Sequence, residues 1–257
     1  MRAFWLKAVA IVALTMGVGP AYAETPAAAR NVVLVTDGTD LSRWAPVIPL
    51  LEAAGLSVTR AQTLPSAPDI FIDETRQAVN AQGGPTVLVG EGWSGTVVSA
   101  IGTDAQVSAV VYLAALAPET GEDFKALAAR FAVKADVVRR MAPAIPMKHE
   151  ITALALREKP RFYAIAKRDE ALPAELQRFY AARLKAKIIL LDGEGFTAQS
   201  HPREIAGLIL EAAGMKPTAC GAADDDGTGA CAAPALPRSL AEGCKCTKTP
   251  LESFIEP

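Results

Sequence analysis

Histidine is nearly missing from this sequence: there are two in 257 residues, His149 and His201. Imidazole titrates nearest neutrality and is the commonest proton carrier in acid–base catalysis, so few positions here could supply one. An excess of one charge sign is also lacking. Lys and Arg number 26 against 28 Asp and Glu, a net charge of −2, which excludes the basic footprint of a nucleic-acid binder. Cysteine is absent from the body of the chain: Cys220, Cys231, Cys244 and Cys246 all lie in about the last forty residues. A bilayer-length apolar run is lacking too. The N-terminal run Ala8–Gly19 is about a dozen residues long, short of the roughly 20 that span a membrane comfortably.

That short run has a different reading. Arg2 and Lys7 flank it with positive charge, and Pro20-Ala21-Tyr22-Ala23 follows with an A-x-A cleavage signal. Residues 1–23 are therefore predicted to be a secretory signal peptide cut after Ala23, the alternative being an uncleaved anchor. No cysteine sits at the cut, which argues against a lipoprotein. The expected product is exported, periplasmic or secreted, with no stable membrane insertion after cleavage. In that setting four cysteines predict two disulfides, with three possible pairings. Cys220 with Cys231 would close a small loop; Cys244 and Cys246 are too close for an easy mutual bridge, so each is expected to pair elsewhere. A metal site is the alternative, although the spacing is not that of a zinc ribbon.

Apolar residues make up 51% of the chain, enough for a sizeable core. Asn31–Val35 is an apolar, β-branched run ending at Thr-Asp-Gly, the signature of a buried strand. Further strands are expected at Leu56–Thr59, Thr86–Val89, Val107–Leu113, Arg161–Ala166 and Ile188–Leu191. Helices are expected at Trp44–Gly55, Asp69–Gln82, Trp93–Gly102, Ala174–Leu184 and Pro202–Ala213, the last capped by Ser200 or His201. Alternating elements with uniformly apolar strands predict an α/β fold: a mostly parallel central sheet with helices on both faces. Functional loops gather at the carboxyl ends of such strands. Phe124–Glu158 reads as a helical insertion. From Met215 on, periodicity gives way to Ala, Gly, Pro and Asp, and residues 215–257 read as a loop-rich tail. Asp224-Asp225-Asp226-Gly227 misses the register of a calcium loop and reads as a solvated acidic turn.

The stretch TVLVGEGWSG, residues 86–95, runs a strand into a glycine-punctuated turn. It has the shape of a strand-turn-helix nucleophile elbow, G-x-S-x-G, with Gly92 at the apex where the nucleophile would stand.

Several segments in order resemble small α/β-hydrolases of the esterase and hydroxynitrile-lyase-like group. NVVLVTDGTDLSRWAPVIPLLEAAGLSVT resembles their opening V-L-V-H-G-A-F, S-x-W and A-x-G; GPTVLVGEGWSG resembles G-P-V-V-L-V-G-H-S-W-G-G; VSAVVYLAALAPETGED, KPRFYAIAKRDEALPAELQRFYAARLKAKIILLDG and SHPREIAGLILEAAG resemble later segments. The resemblance covers about residues 31–123 and 157–214. It implies an α/β-hydrolase domain over 24–214, with a shortened cap at 124–158 that leaves the cleft open, and no cofactor.

The resemblance also implies a Ser, Asp, His triad in chain order, with two backbone N–H groups holding an oxyanion. Carried across, the nucleophile falls on Gly92 and the histidine on Gly195, while the acid is kept as Asp169. Glu91 replaces the histidine that precedes the nucleophile. The oxyanion loop becomes Thr36-Asp37-Gly38, followed by Trp93 at the elbow. Without serine or histidine, proton transfer on the usual axis has no agent, and Asp37, Glu91 and Asp169 would oppose a developing oxyanion. Ser94, two residues past the apex, should face away; Thr36 and Thr39 would need a base, which His149 and His201 are poorly placed to be. Glu91, Asp169 and Glu194 could converge on a cation or a shared proton, the preferred expectation being that they are solvated loop residues. Trp93 should pack on the pocket wall, or serve as an aromatic contact for a small ligand. The predicted function is a non-catalytic pseudoenzyme that binds a small molecule or a partner protein; the alternative is an esterase-like hydrolase with carboxylate- or metal-assisted chemistry.

Overall fold

The computed structural model describes residues 28–37, 41–63, 67–144 and 150–215. The proposed signal peptide, Gly38, Thr39, His149, the acidic turn at 224–227 and all four cysteines lie outside the described residues.

Among the described residues, six parallel strands form one sheet: β1 (Asn31–Asp37), β2 (Ser57–Thr63), β3 (Thr86–Glu91), β4 (Val107–Leu113), β5 (Arg161–Ala166) and β6 (Lys187–Leu191), in the order β2-β1-β3-β4-β5-β6. The helices are α1 (Ile48–Ala53), α2 (Pro68–Asn80), α3 (Gly95–Ile101), α4 (Phe124–Arg130), α5 (Ala135–Met141), α6 (Ala153–Leu156), α7 (Ala174–Leu184), α8 (Thr197–Ser200) and α9 (Pro202–Ala212). Strand order reverses between β1 and β3, and such a switch point opens a crevice beyond the carboxyl ends of the strands.

The uniform apolarity of the inner strands β1, β3, β4 and β5 has a simple cause: both faces are covered. Val33, Val35, Leu88, Val110, Tyr112, Tyr163 and Ile165 pack into one core with Ile72 of α2, Val98 of α3 and Leu176 of α7. Val32, Leu34, Val87, Val89, Val111, Leu113 and Ala164 pack into the other with Leu51 of α1 and Ile205 and Ile209 of α9. Each side chain on a strand alternates between these cores, so neither parity of position is polar. Leu156 of α6 and Phe124 and Ala128 of α4 join the first core, so the insertion is anchored to the domain.

Two expected helices are interrupted. Trp44–Gly55 divides into a 3₁₀ turn at Leu41–Trp44 and α1 from Ile48. Proline explains the break: Pro46 and Pro49 lack N–H groups, and the ring of Pro49 crowds the carbonyl four residues back, so a regular helix starts only when Pro49 falls in its first turn. Trp93–Gly102 likewise begins with a 3₁₀ turn at Gly92–Ser94 before α3. Gly55, at φ +87°, ends α1 as expected, with Leu56 N–H donating to Leu51 O at 3.1 Å. The expected cap on α9 is not made. His201 holds the N-cap position, yet neither its side chain nor that of Ser200 caps the helix. Ser200 Oγ bonds His201 Nδ1 at 2.8 Å instead, and the ring lies against Gly193, where a Cβ would come within 2.5 Å of Cε1.

Candidate functional site

The turn after β3 is built by close packing. All six residues of β3 are buried. A Cβ on Gly90 would lie 2.6 Å from Val98 Cγ2, and one on Gly95 would lie 2.0 Å from Leu116 O. Glycine at both positions lets α3 approach the sheet. At the apex, Gly92 has φ +63°, the left-handed region in which a residue with a Cβ is strained. Leu116 N–H fixes the apex by donating to Gly92 O at 2.8 Å. Ser94 is fully buried. Its Oγ accepts from Glu91 N–H at 2.9 Å and lies 2.8 Å from Val35 O and 2.7 Å from Glu91 O, its two choices of acceptor. The hydroxyl thus ties β1 to the turn and faces away from the apex.

Glu91 corrects the expectation of a solvated loop carboxylate. It is the last residue of β3 and only 3% exposed. Its carboxylate accepts from Ser94 N–H in a capping box, and Oε1 accepts from Thr197 Oγ1 and Ala198 N–H, both at 3.2 Å. Glu91 therefore clamps the elbow to α8 and acts as a buried structural acceptor.

Asp169 follows β5 and is half-buried, its carboxylate bonded within its own loop and to α7. Oδ1 accepts from Ala171 N–H at 2.7 Å and Leu172 N–H at 3.0 Å, and Oδ2 accepts from Gln177 Nε2 at 3.1 Å. Burial pushes its pKa above the ordinary carboxylate value, against the lowering effect of the bonds from Leu172 and Ala171. Gln177 belongs to the site although sequence reading passed over it. It is fully buried, its Oε1 accepts from Ala166 N–H at 2.9 Å, and its Nε2 also donates to Leu172 O at 2.6 Å. The signal was a polar residue on the inward stripe of α7, in line with Tyr180, Ala181 and Leu184.

Gly195 lies directly against this carboxylate. A Cβ there would sit 2.9 Å from Asp169 Oδ2 and 3.0 Å from Oδ1. Any side chain on residue 195 would start in contact with Asp169, which is the relation a triad histidine bears to its acid.

Gly92 and Gly195 open onto one half-open cavity of about 520 Å³, shared by Glu91, Trp93, Asp169 and Glu194. Trp93 is buried and forms part of its wall. Glu194 is exposed at the mouth. The insertion contributes Arg140 and Met141, a wall that the sequence did not reveal. Arg43 and Phe196 form another, the guanidinium carbon 3.8 Å from the ring centroid. Ala114, also on the wall, has φ +43°, a left-handed conformation uncommon for a residue with a Cβ. Two lining charges are paired: Arg140 with Asp136 and Glu170 with Lys134, both at 2.8 Å. Thr36 is buried near the end of β1 and does not line the cavity, and Asp37 closes that strand. Among the described residues no group of three His, Cys, Asp or Glu side chains is placed to hold a metal ion, and no helix is long and apolar enough to cross a membrane.

No family model and no curated protein matches the chain. Solved structures do. Polyneuridine aldehyde esterase is similar with a TM-score of 0.57 at 16% identity, covering 71% of this chain and 98% of that one. A pyrethroid hydrolase from Sphingobium faniae JZ-2 gives 0.53 at 18% identity, covering 72% and 98%. An α/β hydrolase enzyme from the metagenome of lagoon sediments at Mar Chica, Morocco, gives 0.52 at 17%, covering 70% and 89%. At such identities the likeness is one of architecture, and it agrees with the sheet order, the glycine-lined turn after β3 and the cleft at the strand ends: the chain has the α/β-hydrolase fold.

Proposed function

We propose that this protein is an exported, non-catalytic member of the α/β-hydrolase architecture that binds a small molecule in the cleft between Gly92 and Gly195. One observation carries the reading: both positions that would face each other across a serine–histidine pair are glycine, and both open onto the same cavity. Glycine brings no nucleophile and no proton carrier. Two carboxylates on the cavity wall are engaged, Glu91 with α8 and the elbow and Asp169 with the backbone of its own loop, which disfavours either as the base that activates a hydroxyl or water. The cavity falls within the size range of small-molecule sites, and it combines apolar walls with a few polar groups. The similar structures are named as an esterase and a pyrethroid hydrolase, which makes ester-like molecules with an apolar body the first ligands to try.

The test compares hydrolysis of short-chain p-nitrophenyl esters by the native protein and by the Gly92→Ser/Gly195→His double variant, with and without divalent metal. The native protein is expected to be silent and the double variant to gain turnover. Metal-independent turnover by the native protein that is abolished by Asp169→Ala would overturn the proposal and establish a carboxylate mechanism.

A further inference from the structure

The carboxylate of Asp169 is not used up by its own loop. A carboxylate offers about four acceptor sites, two on each oxygen. Oδ1 fills both of its own with Ala171 N–H and Leu172 N–H, whereas Oδ2 accepts only from Gln177 Nε2, at 3.1 Å. Among the described residues no donor takes the second site on Oδ2. Gly195 keeps the approach clear: a Cβ there would stand 2.9 Å from Oδ2, and glycine has none. Asp169 and Gly195 both line the cavity, so an acceptor without a protein donor borders it. Burial raises the pKa of this group, as expected of a half-buried charge short of donors.

The surrounding charges select the sign of the missing donor. On the walls, Arg140 is held by Asp136 and Glu170 by Lys134. With those two cancelled, the carboxylates of Asp169 and of Glu194 at the mouth outnumber Arg43, whose guanidinium already lies over the Phe196 ring. A cationic N–H donor makes the shorter and stronger bond to a carboxylate, and the attraction weighs more in a partly enclosed cavity than in open water. The rest of the wall asks for a different chemistry. Trp93, Met141, Leu172 and Phe196 offer apolar surface, which suits a hydrocarbon or aromatic body.

We infer that the cleft takes a small protonated amine on an apolar body, the ammonium donating to Asp169 Oδ2 in the space that Gly195 leaves open. The inference rests on the cleft being a small-molecule site and names the polar end of its ligand. The test is calorimetric binding of benzylamine and of benzyl alcohol, its neutral counterpart of the same size, to the native protein and to the Asp169→Asn and Gly195→Ala variants. The native protein is expected to bind the amine at least about tenfold more tightly than the alcohol. Asp169→Asn should abolish that preference and leave the alcohol's affinity unchanged. Gly195→Ala keeps the charge but crowds Oδ2, and should reduce the preference too. Equal affinities for the two probes in the native protein would overturn the inference while leaving the cleft a small-molecule site. A preference that survives both substitutions would overturn it too, assigning the cation to another group such as Glu194. Binding of neither probe would overturn it and count against the cleft as a small-molecule site.

Discussion

Glu91 offers the most direct check on whether the site carboxylates are structural or chemical. Replacing it with alanine removes the acceptor of three donors at once: Ser94 N–H, Thr197 Oγ1 and Ala198 N–H. Its residue is 3% exposed and sits at the base of the cleft, so these donors regain little water. A hydrogen bond is worth about 0.5–1.5 kcal/mol net, and a buried orphan costs about 1–3 kcal/mol. Part of that loss is offset because the variant no longer buries a polar carboxyl group. The expected net cost of Glu91→Ala is about 3 kcal/mol, which lowers Tm by about 6–12 °C for a domain of this size. Glu91→Gln keeps one acceptor oxygen and turns an amide donor toward donors, so its cost should fall between, at about 1–2 kcal/mol. Urea denaturation followed by far-UV circular dichroism, with the two variants side by side, measures both. A loss below about 0.5 kcal/mol for the alanine variant, or equal losses for the two, would refute the clamp and return Glu91 to the list of candidate reacting groups.

Three further outcomes follow from the geometry. Gly95→Ala forces a Cβ to within 2.0 Å of Leu116 O. Backbone cannot rotate aside, so the cost should reach or exceed the upper end of overpacking, about 3 kcal/mol; denaturation within about 0.5 kcal/mol of the native protein would contradict the packing. Asp169 has a raised pKa because burial penalises its charge. The folded state therefore holds the proton more tightly than the unfolded chain, and stability should fall as pH rises from the unfolded carboxylate value of about 3.9 through the folded one, then level off. Stability of the Asp169→Asn variant should be flatter across that window in urea titrations, and an identical pH profile for the two proteins would remove the argument. Trp93 is the buried tryptophan on the cavity wall, so a ligand in the cleft should change its fluorescence in a Trp44→Phe background; saturable binding with no such change would place the ligand elsewhere.

Much of the architecture was legible because strands buried on both faces must be apolar throughout, and that pattern is local. β4, β5 and α7 fall where periodicity places them, at Val107–Leu113, Arg161–Ala166 and Ala174–Leu184. So does the elbow, since Gly90, Gly92 and Gly95 mark a turn whose packing or φ admits no Cβ without strain. The fate of the acidic residues was not legible. Glu91 reads in sequence as a solvated loop residue past the strand, and its bonding depends on donors from Thr197 and Ala198, more than a hundred residues away. Asp169 looks like a loop residue until Gln177 reaches back from α7 to meet it. The sequence by itself determined the parallel sheet, the glycine turn and the absence of side chains at Gly92 and Gly195, because those follow from residue type and spacing. Only the tertiary structure decided that the two glycines share one cavity, that Gly195 abuts Asp169 and that Glu91 is a clamp, because desolvation and hydrogen bonding depend on which distant segments meet, and no local pattern records that.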